Sequence, residues 1–385
     1  MKVPPSRRFE CSRCGYADYR MSAREIGSES PEHCLKCGAL MRVADEGLPT
    51  DIERIVKEVA KRFEIEDFIA THERAEFEVF APNVRKSFDS LLSILRPRGY
   101  LVALRRGPDV LRLTVLRFSP VSRRSALISV LLFGLTVLST FFAGVVFLFG
   151  NFLDAALFSI ALMLILSAHE LGHKMAAIEH GIDVSPPYFI PVPFFLGTLG
   201  AVMSIRSPPP SKDSLVEMGA ADPIAGFLVG LCMLLIGLAK SVPAPAGEGI
   251  FFAPLTFVLL EFVFFGHPTS ALQLHPLAFA GWVALFLTMF NLLPAGPLDG
   301  GHVVRGLVSE TRHYALTRSL GMALIMSGFV IPEFPFWVWG FLIFFVFRHY
   351  HPGALNEISS ISRRTKWLVL ITAIVFVLSL PVPLR

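Results

Sequence analysis

The sequence predicts a polytopic α-helical membrane protein of about seven membrane segments, one of them re-entrant, which follow an N-terminal ribbon and a small α/β soluble domain. The chain has 385 residues, of which 53% are hydrophobic and only 17% are charged, whereas about a quarter are charged in an ordinary soluble domain. Of its 66 charged residues, 39 lie in the first 119 positions. The later apolar runs can cross a bilayer core of about 30 Å, which excludes a single soluble globule.

The ribbon, residues 1–48, is predicted from four cysteines. Cys11 and Cys14 form one C-x2-C pair and Cys34 and Cys37 form another, with 19 residues between the pairs. This spacing is typical of a four-thiolate zinc site, and the glycine after each pair lets the backbone turn back toward a metal. We therefore expect Zn²⁺ here. The Cys-Gly-Tyr and Cys-Gly-Ala contexts also resemble rubredoxin, which keeps iron as an alternative.

Residues 49–119 have the pattern of a small α/β domain on the cytosolic side. Helices are expected over 51–62 and 84–95, and strands over 76–80, 100–105 and 111–118, with a turn at Gly107-Pro108-Asp109. This stretch contains no catalytic constellation, so a domain that recognises or gates the substrate and a passive folded cap are weighed equally. A net charge of +4 gives no reason to expect nucleic acid as a partner.

The predicted membrane part consists of a core, residues 120–310, and additional transmembrane helices, residues 311–385. Its apolar stretches are 125–150, 155–168, 220–239, 250–265, 276–290, 320–331, 335–347 and 367–380. Pro254 and Glu261 interrupt the stretch 250–265, which is interpreted as re-entrant or interfacial. With a cytosolic N-terminus and seven crossings, 12 of the 14 Lys and Arg residues after position 119 fall on the cytosolic side. We expect a multi-pass, lipid-embedded protein of a prokaryotic cell membrane, of unknown oligomeric state.

An H-E-x-x-H pattern, His169-Glu170-Leu171-Gly172-His173, lies inside the second expected crossing. The spacing of four residues places both imidazoles on one helical face, about 6 Å apart. This suits two ligands of one Zn²⁺, with Glu170 placed to take a proton from water. Ionisable residues in a membrane helix are costly and mark functional sites. The pattern therefore favours a metal centre over a polar cluster that only holds helices together.

Zinc needs a third protein ligand, for which there are two candidates. His180 returns to nearly the same helical face as His169, but it lies about 10 Å of helix beyond His173. Asp299 follows a Pro-Ala-Gly-Pro run, residues 294–297, which must unwind the preceding helix at a depth that matches His169. Such a break can turn a carboxylate back toward the histidines. Asp299 is the preferred ligand, and His180 is interpreted as a cytosol-facing side chain.

With these motifs in this order, the sequence resembles the site-2 protease family of intramembrane zinc metalloproteases. The resemblance covers roughly residues 125–308 and rests on the H-E-x-x-H pattern, on Asn291 through His302, and on stretches 197–201 and 219–226. It implies zinc ligation by His169, His173 and Asp299, acid/base catalysis by Glu170, and a role for Asn291 in holding the substrate or the developing oxyanion. One departure is Asp222, where the family usually has glycine. We expect Asp222 to lie outside the ligand set.

The expected function is regulated intramembrane proteolysis, in which a zinc metalloendopeptidase hydrolyses peptide bonds within or near transmembrane segments of membrane-protein substrates. A helical substrate hides its carbonyl groups in hydrogen bonds, so it must unwind before attack. A β-prone stretch is expected to offer an edge strand to the unwound segment. Its residues are Gly197, Thr198, Leu199, Gly200, Ala201 and Val202.

Two other function classes are weighed, namely a catalytically silent homologue that binds membrane proteins and a metal transporter. The intact Glu170 argues against a silent homologue, which has no reason to keep a general base beside two ligands. A transporter would show ionisable groups on several helices along a path. Here these groups converge at one depth on two segments, which favours the peptidase.

Overall fold

The computed structural model describes residues 6–21, 33–46, 48–107, 110–118, 126–244, 251–266, 272–330, 336–347 and 349–384. The chain forms two compact units, one of Met1–Val121 with Leu355–Ser360 and the other of Ser122–Ala354 with Ile361–Arg385. Of the predicted turn at 107–109, Pro108 and Asp109 lie outside the described residues.

The first unit is built on one antiparallel sheet. In the part that the structure describes, its elements are β1 (Ser6–Cys11), β2 (Ala17–Met21), β3 (Met41–Glu46), α1 (Thr50–Ala60), β4 (Glu64–Ala70), β5 (Arg74–Phe80), α2 (Val84–Leu95), β6 (Tyr100–Arg106) and β7 (Leu111–Arg117). The strand order is β3-β1-β2-β4-β5-β7-β6. α1 and α2 bury their apolar faces in a core shared with Phe68, Phe77 and Leu113 of the sheet.

The cysteine-bearing strands continue into the α/β part of this unit. β2 pairs with β4 through Tyr19 opposite Ala70 and Arg20 opposite Ile69. At the far edge, residues 355–357 add to β6, because Leu104 donates its N–H to the carbonyl of Leu355 at 2.8 Å and accepts the N–H of Glu357 at 3.2 Å. α2 has the bounds that the sequence predicts. The predicted domain boundaries at 48/49, 119/120 and 310/311 stay predictions.

The second unit is helical. In its described residues the elements are α3 (Ala126–Ala143), α4 (Phe152–Glu179), β8 (Tyr188–Pro191), β9 (Thr198–Val202), α5 (Lys212–Leu238), β10 (Val242–Pro243), β11 (Phe251–Pro254), α6 (Leu255–Phe265), β12 (Leu272–Gln273), α7 (Pro276–Asn291), α8 (Asp299–Leu307), α9 (Glu310–Ser327), α10 (Phe336–Phe341), α11 (Arg363–Ser379) and β13 (Pro381–Leu384). α3 continues as a π-helical turn, Gly144–Phe149, and α10 as another, Leu342–Val346. Two-stranded pairings join β8 to β9, β10 to β12 and β11 to β13.

The described residues contain fewer long apolar helices than the seven crossings that the sequence predicts. Three helical segments are long and apolar enough to cross a membrane, namely Ala126–Phe149, Phe152–Glu179 and Lys212–Leu238. The apolar helices Leu255–Phe265, Pro276–Asn291 and Phe336–Val346 are shorter. At 1.5 Å per residue, α7 with its 16 residues extends only about 24 Å. Apolar composition alone did not reveal that chain breaks shorten these helices.

Glycines on α5 bring three helices close together around one point. A Cβ at Gly226 would lie 2.8 Å from Nδ1 of His169 on α4, and one at Gly219 would lie 2.6 Å from the backbone oxygen of Asp299 on α8. On α4 itself, a Cβ at Gly172 would lie 2.6 Å from the carbonyl oxygen of Ala221. Side chains at these positions would force the helices apart. The small residues therefore set the distances between the helices that carry the functional groups.

Candidate metal centre and active site

α4 carries the three predicted residues of the H-E-x-x-H pattern in its interior. His169, Glu170 and His173 are 9%, 7% and 6% exposed, so all three are buried. The helix runs unbroken from Phe152 to Glu179 and ends at His180. Its regular geometry holds the two imidazoles one turn apart, as the spacing predicts.

Asp299 reaches this cluster from the break that the sequence predicts. α7 ends at Asn291, and α8 begins at Asp299 after a turn in which Gly296 has a φ of +51°. Gly300 is needed at the start of α8, because a Cβ there would lie 2.0 Å from the carbonyl oxygen of Leu292. The turn places Oδ2 of Asp299 at 3.6 Å from Nε2 of His169. The structure thus brings the carboxylate to the histidines.

Asn291, the last residue of α7, also lies at the cluster. Its side-chain nitrogen Nδ2 is 3.0 Å from Nε2 of His169. His180, by contrast, points elsewhere, since its Nε2 pairs with Oε2 of Glu217 at 3.0 Å. The structure therefore groups Asn291 with the predicted ligands and separates His180 from them.

Asp222, expected to lie outside the ligand set, has its carboxylate among the predicted ligands. Its Oδ2 is 3.4 Å from Nε2 of His169 and 3.4 Å from Nδ1 of His173. Its Oδ1 accepts a hydrogen bond from the backbone N–H of His173 at 3.3 Å. The signal that could have found it was present in the sequence, because an acidic residue in an apolar helix marks a functional site by default.

A second layer of histidines supports α8 from behind. His302 lies one turn beyond Asp299 and pairs through Nδ1 with Nε2 of His351 at 2.8 Å. Arg305, 2% exposed, donates from Nε to the carbonyl oxygen of His351 at 3.1 Å. These contacts fix the helix that presents Asp299. Sequence reasoning missed His351, because nothing local to residues 349–354 indicates that this segment packs on α8.

A cavity of about 890 Å³ opens beside these residues, with His169, Glu170 and Asn291 in its wall. Much of the remaining wall is apolar and comes from α4, α7 and α10. Of the predicted substrate-binding residues, Thr198, Leu199, Gly200 and Ala201 line the cavity. Gly197 and Val202 flank them, and neither belongs to the lining. Within the described residues, β9 pairs with β8 along one edge only, and this leaves its other edge for a further strand.

The cluster fits a zinc ion. Donor atoms that share one tetrahedral Zn²⁺ at 2.0–2.1 Å lie about 3.3–3.4 Å apart. Oδ2 of Asp222 lies 3.4 Å from Nε2 of His169 and 3.4 Å from Nδ1 of His173, and Oδ2 of Asp299 lies 3.6 Å from Nε2 of His169, all close to this value. Nε2 of His173 is buried and has no hydrogen-bond partner in the described chain. Only one nitrogen of a ring can bind a given ion, and in this orientation it is Nδ1, which faces Asp222.

The four cysteines of the ribbon also converge. Their Sγ atoms all lie within 4.8 Å of one another, with Cys11 and Cys37 at 3.6 Å and Cys14 and Cys34 at 3.6 Å. Sulfur ligands of a tetrahedral ion at about 2.3 Å would be about 3.8 Å apart. Gly15 and Gly38 have positive φ values of 68° and 72°, which allow each pair to turn around a metal. The geometry suits Zn²⁺ and does not distinguish it from iron.

Comparison with known proteins finds a peptidase family model that matches the middle of the chain. The family model described as Peptidase family M50 matches residues 157–332, a range that includes His169, His173, Asp222, Asn291 and Asp299. Over this range the chain is similar to the peptidases that the family model describes. It is 31% identical over 244 residues to "Probable zinc metalloprotease EGY1, chloroplastic" of Arabidopsis thaliana, covering 60% of this chain and 43% of that protein.

Two further relatives extend the comparison. The chain is 33% identical over 195 residues to "Probable zinc metalloprotease EGY2, chloroplastic" of Arabidopsis thaliana, covering 48% of this chain and 34% of that protein. It thus spans less than half the length of these site-2 protease relatives. The solved Site-2 Protease from Methanocaldococcus jannaschii shares 18% identity over 60% of this chain and 93% of that chain, with a TM-score of 0.34, which is too low to establish a shared fold.

Proposed function

We propose that this chain is an intramembrane zinc endopeptidase that cleaves peptide bonds within or near transmembrane segments of membrane proteins. One observation carries the proposal. Oδ2 of Asp299 lies 3.6 Å from Nε2 of His169, and ligand atoms of His173, Asp222 and Asp299 lie within 4.8 Å of one another. His169 and Glu170 also stand in the wall of a cavity inside a bundle of apolar helices. The match to a metallopeptidase family model and to zinc metalloprotease relatives supports the same activity.

Each residue has a distinct task in this proposal. His169, His173 and Asp299 hold the zinc ion, which when bound supplies Lewis-acid polarisation of the scissile carbonyl and makes water acidic enough to react near neutral pH. Glu170 accepts the proton from the attacking water and then donates it to the leaving nitrogen. Asn291, whose Nδ2 lies 3.0 Å from Nε2 of His169, donates a hydrogen bond to the carbonyl oxygen as negative charge develops there.

The substrate is proposed to bind as an extended segment along the open edge of β9. Strand addition satisfies the backbone N–H and C=O groups that a transmembrane helix exposes when it unwinds. Gly200, with a φ of +92° and open space where a Cβ would lie, leaves room for a backbone beside it. The apolar cavity wall accepts the side chains of a membrane segment. Proline at Val202 should weaken cleavage, whereas Val202→Ala should not; equal activity of the two folded variants would contradict strand pairing.

The cysteine ribbon is proposed to bind Zn²⁺, and residues 1–118 to recognise or gate the substrate from the cytosolic side. The clustering of the four Sγ atoms supports the metal, and the predicted cytosolic position of residues 1–118, directly before the membrane part in the sequence, supports a sorting role. The double variant Cys34→Ser/Cys37→Ser should release one metal ion per chain and alter which membrane reporters are cut. Metal release with an unchanged reporter preference would contradict the sorting role.

We also propose a multi-pass protein of a prokaryotic cell membrane with its N-terminus in the cytosol. The three long apolar helices support a membrane location. The named relatives are chloroplastic, so the compartment rests on the sequence alone. Reporter fusions at the N-terminus test the orientation, and a periplasmic or extracellular signal would contradict it.

The decisive test combines zinc content with cleavage of a membrane-spanning reporter, for the wild type and Glu170→Gln. Because Glu170 is the proton carrier and not a ligand, the variant should keep its zinc and lose cleavage by about 10²- to 10⁴-fold. The matched control is Glu217→Gln, because Glu217 is also a buried glutamate but pairs with His180 and not with the predicted zinc ligands. Equal cleavage by wild type and Glu170→Gln would contradict the proposed base.

A further inference from the structure

We propose that Asp222 is a fourth protein donor to the metal centre, so that the resting site is a His₂Asp₂ set made of His169, His173, Asp222 and Asp299. This inference rests on the proposed function, because it takes the cluster to be a zinc site. It goes beyond the three ligands that the family resemblance implies, since the family usually has glycine at this position.

The position of Asp222 follows from the periodicity of α5. Gly219, three residues earlier, faces Asp299 and His302 on α8, and Gly226, four residues later, faces His169 on α4. Residues at i−3, i and i+4 lie on one helical face, so Asp222 stands between two close-contact points. Its side chain extends into the space where α4, α5 and α8 meet. A glycine here would leave that space open.

The distances match metal sharing. Oδ2 of Asp222 is 3.4 Å from a ring nitrogen of each histidine, close to the separation of about 3.3–3.4 Å expected for two ligands of one tetrahedral zinc. Ligand atoms of His173, Asp222 and Asp299 all lie within 4.8 Å of one another. Those of His169, Glu170 and Asp222 do so as well. Asp222 thus belongs to both groups.

The second carboxylate oxygen fixes the first in place. Oδ1 accepts the backbone N–H of His173 at 3.3 Å, which sets the orientation of the carboxylate. Oδ2 then faces both rings. A carboxylate whose role was only to hold α5 against α4 would need the Oδ1 contact alone. The placement of Oδ2 between two imidazole nitrogens indicates a donor.

Charge balance favours the same assignment. Glu170, Asp222 and Asp299 are three acidic side chains in a buried site, and the ion pairs of Asp222 and Asp299 in the described residues are with histidines and not with Lys or Arg. Buried carboxylates need a compensating charge. A divalent cation balances two carboxylate ligands, which leaves Glu170 as the proton carrier.

The test is a competition titration of zinc against a chelator on the full-length protein in detergent, for the wild type, Asp222→Asn and Asp222→Gly. Asp222→Asn keeps the size of the side chain and an acceptor for the N–H of His173, so it separates anchoring from metal donation. Both variants should bind zinc at least about tenfold more weakly. The absorption spectrum of the Co²⁺-loaded protein should also change, because the number of oxygen donors falls. Glu217→Gln, on the same helix, should bind as the wild type does.

The outcomes separate the two claims. If the wild type binds no metal at these residues and Asp299→Ala leaves metal content unchanged, the proposed function fails. If Asp299→Ala loses zinc while Asp222→Asn binds zinc as tightly as the wild type and gives the same Co²⁺ spectrum, Asp222 is not a donor and this inference is overturned. Weaker binding in both Asp222 variants, with Glu217→Gln unaffected, supports it.

Discussion

The protein contains two metal-type clusters that are built in opposite ways. In the first unit, four cysteines come from two short turns between residues 11 and 37, and each turn is closed by a local hydrogen bond from Gly15 to Cys11 or from Gly38 to Cys34. In the second unit, the histidines and aspartates come from three helices, α4, α5 and α8. Local chain geometry makes the first cluster, whereas helix packing makes the second.

The two clusters also differ in chemistry. Four thiolates close the coordination of a zinc ion, as in sites that stabilise a fold. The histidine and aspartate cluster has a buried glutamate beside it and a cavity of about 890 Å³ at its side, so its surroundings serve a reaction. We therefore expect a metal in the ribbon to contribute to stability and a metal in the helical cluster to contribute to catalysis. Changes at one cluster should leave the other intact.

The largest effect is expected from removing the carboxylate of the predicted ligand. Asp299→Ala should release the zinc of the helical centre and lower cleavage by about a thousandfold or more, because the metal supplies several kcal/mol of transition-state stabilisation. The ribbon should keep its metal. Metal content per chain and reporter cleavage measure both effects. If the variant keeps all its zinc, the assignment of Asp299 as a zinc ligand is contradicted.

A smaller loss is expected when the packing around His169 is disturbed. In Gly226→Ala the new methyl group would lie 2.8 Å from Nδ1 of His169, so the ring must shift. We expect kcat/KM to fall about 10- to 100-fold, since small misplacements of reacting groups are costly. Gly134→Ala, where a Cβ meets nothing within 4 Å, is the control. If both variants cleave equally well, the close approach of α5 does not position the site.

Loss of the ribbon metal should affect stability and leave the zinc of the helical centre in place. Cys34→Ser removes one of four sulfur ligands, and metal binding in such small ribbons is itself folding free energy. The first unit should unfold at a lower temperature, while the helical centre keeps its zinc. Calorimetry with metal analysis measures both. If the ribbon metal is lost and the unfolding temperature of the first unit does not change, the metal does not stabilise this unit.

The smallest effect is expected at an exposed ion pair between α11 and the end of α4. Arg364 donates to Oε1 of Glu179 at 3.1 Å, with side chains 67% and 54% exposed. An exposed ion pair contributes about 0–1 kcal/mol, so Arg364→Ala should lower the free energy of unfolding by less than about 1 kcal/mol and change neither metal content. A larger loss, measured by chemical denaturation, would show that α11 depends on this contact more than its exposure indicates.

Features that depend on local contacts could be predicted from the sequence, whereas features that depend on contacts between distant residues could not. The cysteine pairs, the H-E-x-x-H helix and the break before Asp299 are encoded in short patterns, and their residues converge as expected. The position of Asp222 could not be predicted in this way, because its contact with His173 joins residues 49 apart in sequence. That contact depends on how closely glycines let α5 approach α4, which no single segment encodes.

The number of membrane segments and the strand added at the edge of β6 were also harder to predict, because both depend on contacts between distant residues. An apolar run shows that a segment avoids water, but it does not show where a helix stops. α7 ends at Asn291 because the turn that delivers Asp299 must begin there. The addition of residues 355–357 to β6 joins positions about 250 apart, and no local pattern announces it. Such features arise only once the units have formed.

The most direct test of the central claim is X-ray absorption at the zinc edge on the variant Cys34→Ser/Cys37→Ser, which leaves the helical centre as the site under study. We expect one zinc ion per chain, bound by nitrogen and oxygen ligands at about 2.0–2.2 Å and by no sulfur ligand. We also expect this zinc to be lost when Asp299→Ala is added. If the double cysteine variant binds no zinc, or if the zinc ligands are unchanged after Asp299→Ala is added, the proposed zinc site of the helical unit is contradicted.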